Sequence, residues 1–222
     1  MKNFGLIGGA GYIAPRHFKA IKDCGANLLF VYDPNDSIGI LDSYFPDAEF
    51  CTEFELFCDR LYKHENKEVK LDYISICSPN YLHKSHVEVS LRSGANVICE
   101  KPLVLSIQDL YDLYELEKRS DVKTNCILQL RLHPEIKKLK EEVLKSSSRK
   151  KYDVKLSYFT SRGAWYHRSW KGNTVKSGGI ATNIGVHFFD MLSYLFGEVE
   201  SNIVHYKSGS ANAGYLEFEK AK

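Results

Sequence analysis

The chain has 222 residues, 44% of them hydrophobic and 26% charged, with a net charge of +2. That length buries a real core in one large or two modest domains, and the composition is that of an ordinary globular protein. So small a charge gives no electrostatic pull toward nucleic acid or a membrane surface. No run reaches the roughly 18 apolar residues of a membrane span, and the opening MKNFGLIG is too short and too weakly basic for a secretory signal. A cytoplasmic location is the expectation. The six cysteines form no CxxC pair and mostly sit in apolar segments, which favours buried free thiols and no metal site.

The first half alternates in pattern. Short β-type runs stand at 3–8 (NFGLIG), 27–32 (NLLFVY), 72–77 (DYISIC), 96–100 (NVICE) and 122–128 (VKTNCIL), with helical patterns at about 14–24, 53–65, 84–93 and 106–119. Capping boxes are expected at Thr52 with Glu55 and at Ser106 with Asp109. Strands alternating with helices pair in parallel through right-handed crossovers. The predicted fold is α/β, a doubly wound parallel (Rossmann) sheet over residues 1–130, and such sheets bind ligands at the carboxyl ends of their strands.

The chemistry is therefore sought just after each run. The first run ends in IGGAGYIA, with Gly9, Gly11 and Ala14 spaced as GxGxxA. The first glycine permits a tight turn, the second lets backbone approach a pyrophosphate, and the small third residue packs helix on strand. The phosphates then meet free N–H groups at a helix start. The second run ends in Asp33, about 20 residues on, where a carboxylate accepts from both ribose hydroxyls and repels a 2′-phosphate. The predicted cofactor is NAD rather than NADP. CSPNYLH (77–83) sets Ser78, Pro79 and Asn80 over that cofactor. The fourth run leads into Glu100-Lys101-Pro102, beside the nicotinamide, where a partly desolvated lysine is suited to proton transfer.

In the second half, SGGIATNIGVHFFDML (177–192) opens on Gly178 and Gly179. Read as one α-helix, it carries an apolar stripe of Ile180, Ile184, Phe188, Met191, Leu192 and Leu195. Asn183, His187 and Asp190 make a polar stripe beside it, fit for a cleft wall. Strands are expected near 152–161, 199–206 and 213–219 and a helix at about 181–196. Three strands make an incomplete sheet with an exposed apolar face. Either the chain is a fragment or another subunit covers that face. KSSSRKK (145–151) reads as a surface loop.

GxGxxA, Asp33, SPNYLH, the EKP triplet and the 177–192 stretch together resemble the glucose–fructose oxidoreductase/inositol dehydrogenase (Gfo/Idh/MocA) family. The resemblance implies a Rossmann domain, then an α+β domain over 131–222 with an open, mainly antiparallel sheet that looks C-terminally truncated. It implies cofactor contacts from Gly9, Gly11, Tyr12, Ile13, Asp33, Asn35, Ser78, Pro79 and Asn80. His83, Glu100, Lys101, Gln129 and Arg131 complete that set. Lys101, His187 and Asn183 are the implied catalytic residues, with either Lys101 or His187 as base. Asn183 stands where the family usually has an acid; it can hold a hydroxyl but cannot take up a proton.

YDPNDS, YFPDAEF, ICEKPLVL, LQLRLHP and WYHRSWKG narrow the resemblance to UDP-2-acetamido-2-deoxy-glucuronate 3-dehydrogenases of surface-polysaccharide synthesis. This implies oxidation of a nucleotide sugar at C3, with 2-oxoglutarate as a recycling oxidant and a dimer or tetramer as the assembly. Lys101, Arg162, Tyr166, Arg168, Lys171, Asn183 and His187 are the implied substrate contacts, the basic groups meeting diphosphate and carboxylate. Two alternatives stand beside this reading. One is a dehydrogenase of a free sugar or inositol; the other is an NAD-binding protein without turnover.

Overall fold

A computed structural model describes residues 1–65, 70–146 and 151–222, so most of the KSSSRKK stretch lies outside the described residues. The chain divides into two compact units, Met1–Ile127 and Leu128–Lys222. Among the described residues no helix is long and apolar enough to cross a membrane.

The first unit runs β1 (Asn3–Ile7), α1 (Ala14–Asp23), β2 (Asn27–Tyr32), β3 (Glu49–Cys51), α2 (Phe54–Glu65), β4 (Tyr73–Ile76), α3 (His83–Arg92), β5 (Asn96–Cys99), α4 (Ile107–Lys118) and β6 (Thr124–Cys126). The strands form one parallel sheet in the order β3-β2-β1-β4-β5-β6. The order reverses between β1 and β4, which is where an open α/β sheet leaves a crevice at its carboxyl edge. Two apolar layers cover it. Phe18 and Ile21 of α1 pack with Leu6, Leu28 and Val31 on one face. Phe57 and Leu61 of α2, Val87 and Leu91 of α3 and Leu113 of α4 pack with Phe30, Ile74, Ile76 and Val97 on the other. Both faces are thus closed, as the near-continuous apolar strands demand.

The short strand β3 has no counterpart among the expected runs. The Ser106 cap is present, its hydroxyl accepting from Asp109 N at 3.1 Å. Thr52 instead donates to Glu53 Oε2 at 2.8 Å. All six cysteines are free, with Cys51, Cys77 and Cys99 buried and Cys24 exposed.

The second unit holds α5 (Pro134–Lys145), α6 (Ala164–Arg168), α7 (Thr174–Ser177), a π-helical turn (Ala181–Gly185), α8 (Val186–Phe196), β7 (Val199–Lys207) and β8 (Asn212–Phe218). β7 and β8 form an antiparallel hairpin, a separate two-stranded sheet. Its core gathers Val143, Leu195, Phe196, Phe218 and Ala221, with Ile136, Met191 and Leu192 partly buried against them. The expected strand at 152–161 is not one. Tyr152 N–H donates to Lys220 O and Val154 N–H to Lys222 O, at 2.8 and 2.9 Å. Beyond Val154, no further rung of this ladder is formed among the described residues.

Candidate active site

The turn after β1 takes its shape from three glycines. Gly8 has φ +92°, and a Cβ there would lie 2.6 Å from Ser78 N, which is backbone that cannot step aside. A Cβ on Gly9 would lie 2.4 Å from Val31 Cγ1 and 2.5 Å from Ile38 Cδ1. One on Gly11 would come within 3.1 Å of Gly8 O. Its positive backbone angle makes Gly8 the most constrained of the three. The α1 helix that follows has no side-chain cap and no acidic residue in its first turn. Ala14 N already donates to Gly11 O and Arg16 N to Ile13 O, and Pro15 has no N–H. This start therefore offers an anion its positive helix-dipole end rather than a row of free N–H groups. Tyr12 is exposed on the turn and Ile13 half-buried.

Asp33 ends β2 against this turn and is buried. Its Oδ2 accepts from Ala10 N at 2.9 Å, and its Oδ1 accepts from the backbone and side-chain nitrogens of Asn35 at 2.9 and 3.0 Å. A carboxylate offers about four acceptor positions, so a hydroxyl can still be received. The residues present thus fit a dinucleotide: a turn that excludes Cβ atoms, an uncapped helix start and an acid at the ribose position.

After β4, Ser78 Oγ lies 2.9 Å from His86 Nδ1 in the interior, and Asn80 is buried. His83, expected among the cofactor contacts, is placed inside the unit at 1% exposure. Its Nδ1 lies 2.7 Å from Pro102 O and its Nε2 2.8 Å from Ser78 O. Both ring nitrogens face protein carbonyls, so the ring serves the loops rather than a ligand. After β5, Glu100 accepts from His17 Nε2 at 3.0 Å. Burial pushes the Glu100 carboxyl up, but the hydrogen bond from His17 and the neighbouring Lys101 hold it on balance below its ordinary value. Lys101 is half-buried, and the Lys101–Pro102 peptide is cis.

The remaining expected residues belong to the second unit. Arg131 forms a bidentate pair with Asp190, Nε to Oδ2 at 2.7 Å and Nη2 to Oδ1. The polar stripe is therefore split: Asp190 serves Arg131. Asn183 is buried within the π turn and His187 is half-buried one turn on, so α-helical spacing does not relate the two. Gln129 sits in a short 3₁₀ turn before Arg131. The Lys171 ammonium lies 5.3 Å from the Trp165 ring centre and 5.7 Å from that of Trp170. Arg162 lies 5.1 Å from the ring centre of Tyr166, itself buried. Gly172 lets the chain close on itself here, since a Cβ would lie 2.6 Å from His167 Cα. Arg168 ends α6.

The model of the oxidoreductase family's NAD-binding Rossmann fold matches residues 2–127, and that of its C-terminal alpha/beta domain matches 140–220. The chain belongs to the Gfo/Idh/MocA family. Within it, the chain is 48% identical to the WlbA (WbpB) dehydrogenase from Thermus thermophilus, solved with NAD and alpha-ketoglutarate and also with NAD and UDP-GlcNAcA. The match covers 100% of this chain and 71% of that one, with a TM-score of 0.95. The WlbA dehydrogenase from Bordetella pertussis shares the fold at 21% identity and a TM-score of 0.83, over 99% of this chain and 66% of that one. Glucose-6-phosphate 3-dehydrogenase of Bacillus subtilis (strain 168) is 26% identical over 202 residues, 88% of this chain and 54% of the relative. The chain spans about half the length of that curated relative. The expected Gfo/Idh/MocA resemblance and NAD-binding Rossmann half are thus shown.

Burial, with the charge of His83 adding to it, pulls the His86 ring down to about 4. As pH falls the unfolded chain takes up this proton first. The stabilisation from a neutral His86 is therefore complete above its ordinary value of 6.5 and is lost as pH falls toward 4. Urea denaturation across that window should show stability falling by up to about 1.4 kcal/mol per pH unit from this ring. His86→Gln should flatten that slope; an unchanged slope refutes the assignment.

Proposed function

We propose that this chain carries the NAD- and substrate-handling parts of a dehydrogenase that oxidises the C3 hydroxyl of a UDP-linked N-acetylated uronic acid to a ketone. The observation that carries this reading is the 48% identity, over 100% of the chain, to a dehydrogenase solved with NAD and UDP-GlcNAcA. When bound, NAD supplies the hydride acceptor. The Gly8–Gly11 turn and the α1 start hold the pyrophosphate, and Asp33 takes the ribose hydroxyls. Lys101 or His187 takes the proton from the C3 hydroxyl as the C3–H bond gives up its hydride and the C=O bond forms. Asn183 orients that hydroxyl. Arg162, Arg168 and Lys171 meet the diphosphate and carboxylate, with Arg162 steadied on the Tyr166 ring and Lys171 on the Trp165 and Trp170 rings. The resulting NADH is reoxidised by 2-oxoglutarate, which becomes a 2-hydroxy acid.

Mixing the protein with NAD and UDP-GlcNAcA should raise the absorbance band of reduced nicotinamide, and added 2-oxoglutarate should discharge it. Lys101→Met should cost about 10²–10⁴-fold in that rate while NAD affinity holds within a small factor. Turnover with free sugars or inositol but not with the UDP sugar would favour the other dehydrogenase reading. No turnover with any of them would favour a binding protein.

Asp33 also sets the choice of cofactor. Its buried carboxylate repels a 2′-phosphate, so fluorescence titration should give tighter binding of NAD than NADP. Asp33→Ala should weaken NAD binding and narrow the gap; equal wild-type affinities defeat this reading.

Val199, Ile203, Val204 and Tyr206 of β7 are exposed. We propose that a second copy of the chain covers this hairpin, giving a dimer or tetramer. Light scattering should find more than one copy per particle; a monomer at micromolar concentration refutes it.

A further inference from the structure

Lys101 lies between two residues that buried histidines hold. On its amino side, Glu100 accepts from His17 Nε2 at 3.0 Å. The other nitrogen of that ring, Nδ1, lies 2.6 Å from Ser75 Oγ on β4. On its carboxyl side, Pro102 O lies 2.7 Å from His83 Nδ1, and His83 Nε2 reaches Ser78 O at 2.8 Å. His17 comes from α1 and His83 from α3, so the two ties run in from helices on either side of the β4–β5 edge. The two histidines are 8% and 1% exposed, so little solvent reaches their rings.

We propose that His17 and His83 are positioning residues that bracket the Lys101 loop and hold its backbone in register with the glycine turn and the β4 turn. This rests on reading Lys101 as a proton-transfer group. Neither ring has a nitrogen left for a ligand. His17 spends both on Ser75 and Glu100, and His83 directs both at carbonyls. Fixing the side chain of the preceding residue and the carbonyl of the following one leaves the Lys101 backbone little freedom. That is the useful restraint, because a displacement of about 1 Å at a reacting group can cost 10²-fold in rate.

The test labels lysines directly and needs no turnover. The folded chain is pulsed with acetic anhydride, and each lysine's modification is read by mass spectrometry in wild type, His17→Gln, His83→Gln and the surface control Asp121→Asn. Freed from its bracket, Lys101 should change its acetylation rate by about threefold or more in both bracket variants, equivalent to half a pKa unit or a matching gain in exposure. The other lysines, and Lys101 in the control, should stay at the wild-type rate. In the NADH assay, kcat should fall by up to about 10²-fold with KM for NAD little changed. An unchanged Lys101 rate in both variants overturns the proposal. So does a rise spread over all lysines, which marks a general structural role. If His83→Gln does not fold, His17→Gln decides alone. A Lys101-specific change with undiminished turnover leaves the bracket standing and removes Lys101 from the chemistry.

Discussion

The bond from Ala10 N–H to Asp33 Oδ2, 2.9 Å long, is the contact on which the carboxyl edge of the first unit depends. It ties the turn after β1 to the end of β2, so the acid at the ribose position and the turn at the pyrophosphate position cannot drift apart. The rest of the turn is shaped by exclusion. Gly8 sits where any Cβ meets backbone, and Gly9 where it meets Val31 and Ile38. A buried carboxylate is costly unless its lone pairs are filled, and here the backbone of the turn and Asn35 fill most of them. The charge that would select a cofactor is thereby also what holds the cradle in shape.

The same economy recurs beneath the loops. Ser75, Ser78, His17, His83 and His86 are all buried, in a sheet whose faces are otherwise apolar. Each has a hydrogen-bond partner within the unit, and most partners belong to segments that carry candidate site residues. Buried polar groups left unmatched cost more than matched ones return. This polar layer therefore locks loops in one arrangement more than it adds stability. Glu100 shows the balance: burial opposes its charge, and His17 and Lys101 restore it.

How much of this could be read from the chain differs between the halves. NLLFVY at 27–32 is a strand over those same residues, and the α1 pattern at 14–24 falls on Ala14–Asp23, because alternation and punctuation by glycine are local signals. β3 has three residues and leaves no period to read. The helix Pro134–Lys145 lies outside the expected elements although proline stands at its first turn and Ile136, Leu139 and Val143 share one face. The strand expected at 152–161 failed since alternation describes a side chain's surroundings, whereas a strand also needs a neighbour's backbone. The site residues follow the same division. Gly9, Gly11 and Asp33 announce themselves by spacing, while the ties of His83 to Pro102 and of Arg131 to Asp190 join residues 19 and 59 apart. No periodicity reaches that far.

The π turn at Ala181–Gly185 bears most directly on the chemistry of the second unit. Reading 181–196 as one α-helix put Asn183, His187 and Asp190 in a single stripe. A π turn closes i→i+5 bonds and so takes more residues per turn than an α-helix, and residues within it and after it no longer keep a common phase. Asp190, well inside α8, turns to Arg131 and neutralises it. That leaves Arg131 a poor receptor for a free anion, because its guanidinium fork is already filled by a carboxylate of matching geometry. In the function proposed above, anion recognition in this unit is assigned to Arg162, Arg168 and Lys171. Two of these rest against aromatic faces rather than carboxylates. An aromatic face steadies a cation without cancelling its charge, which is the property that a receptor for diphosphate and carboxylate needs.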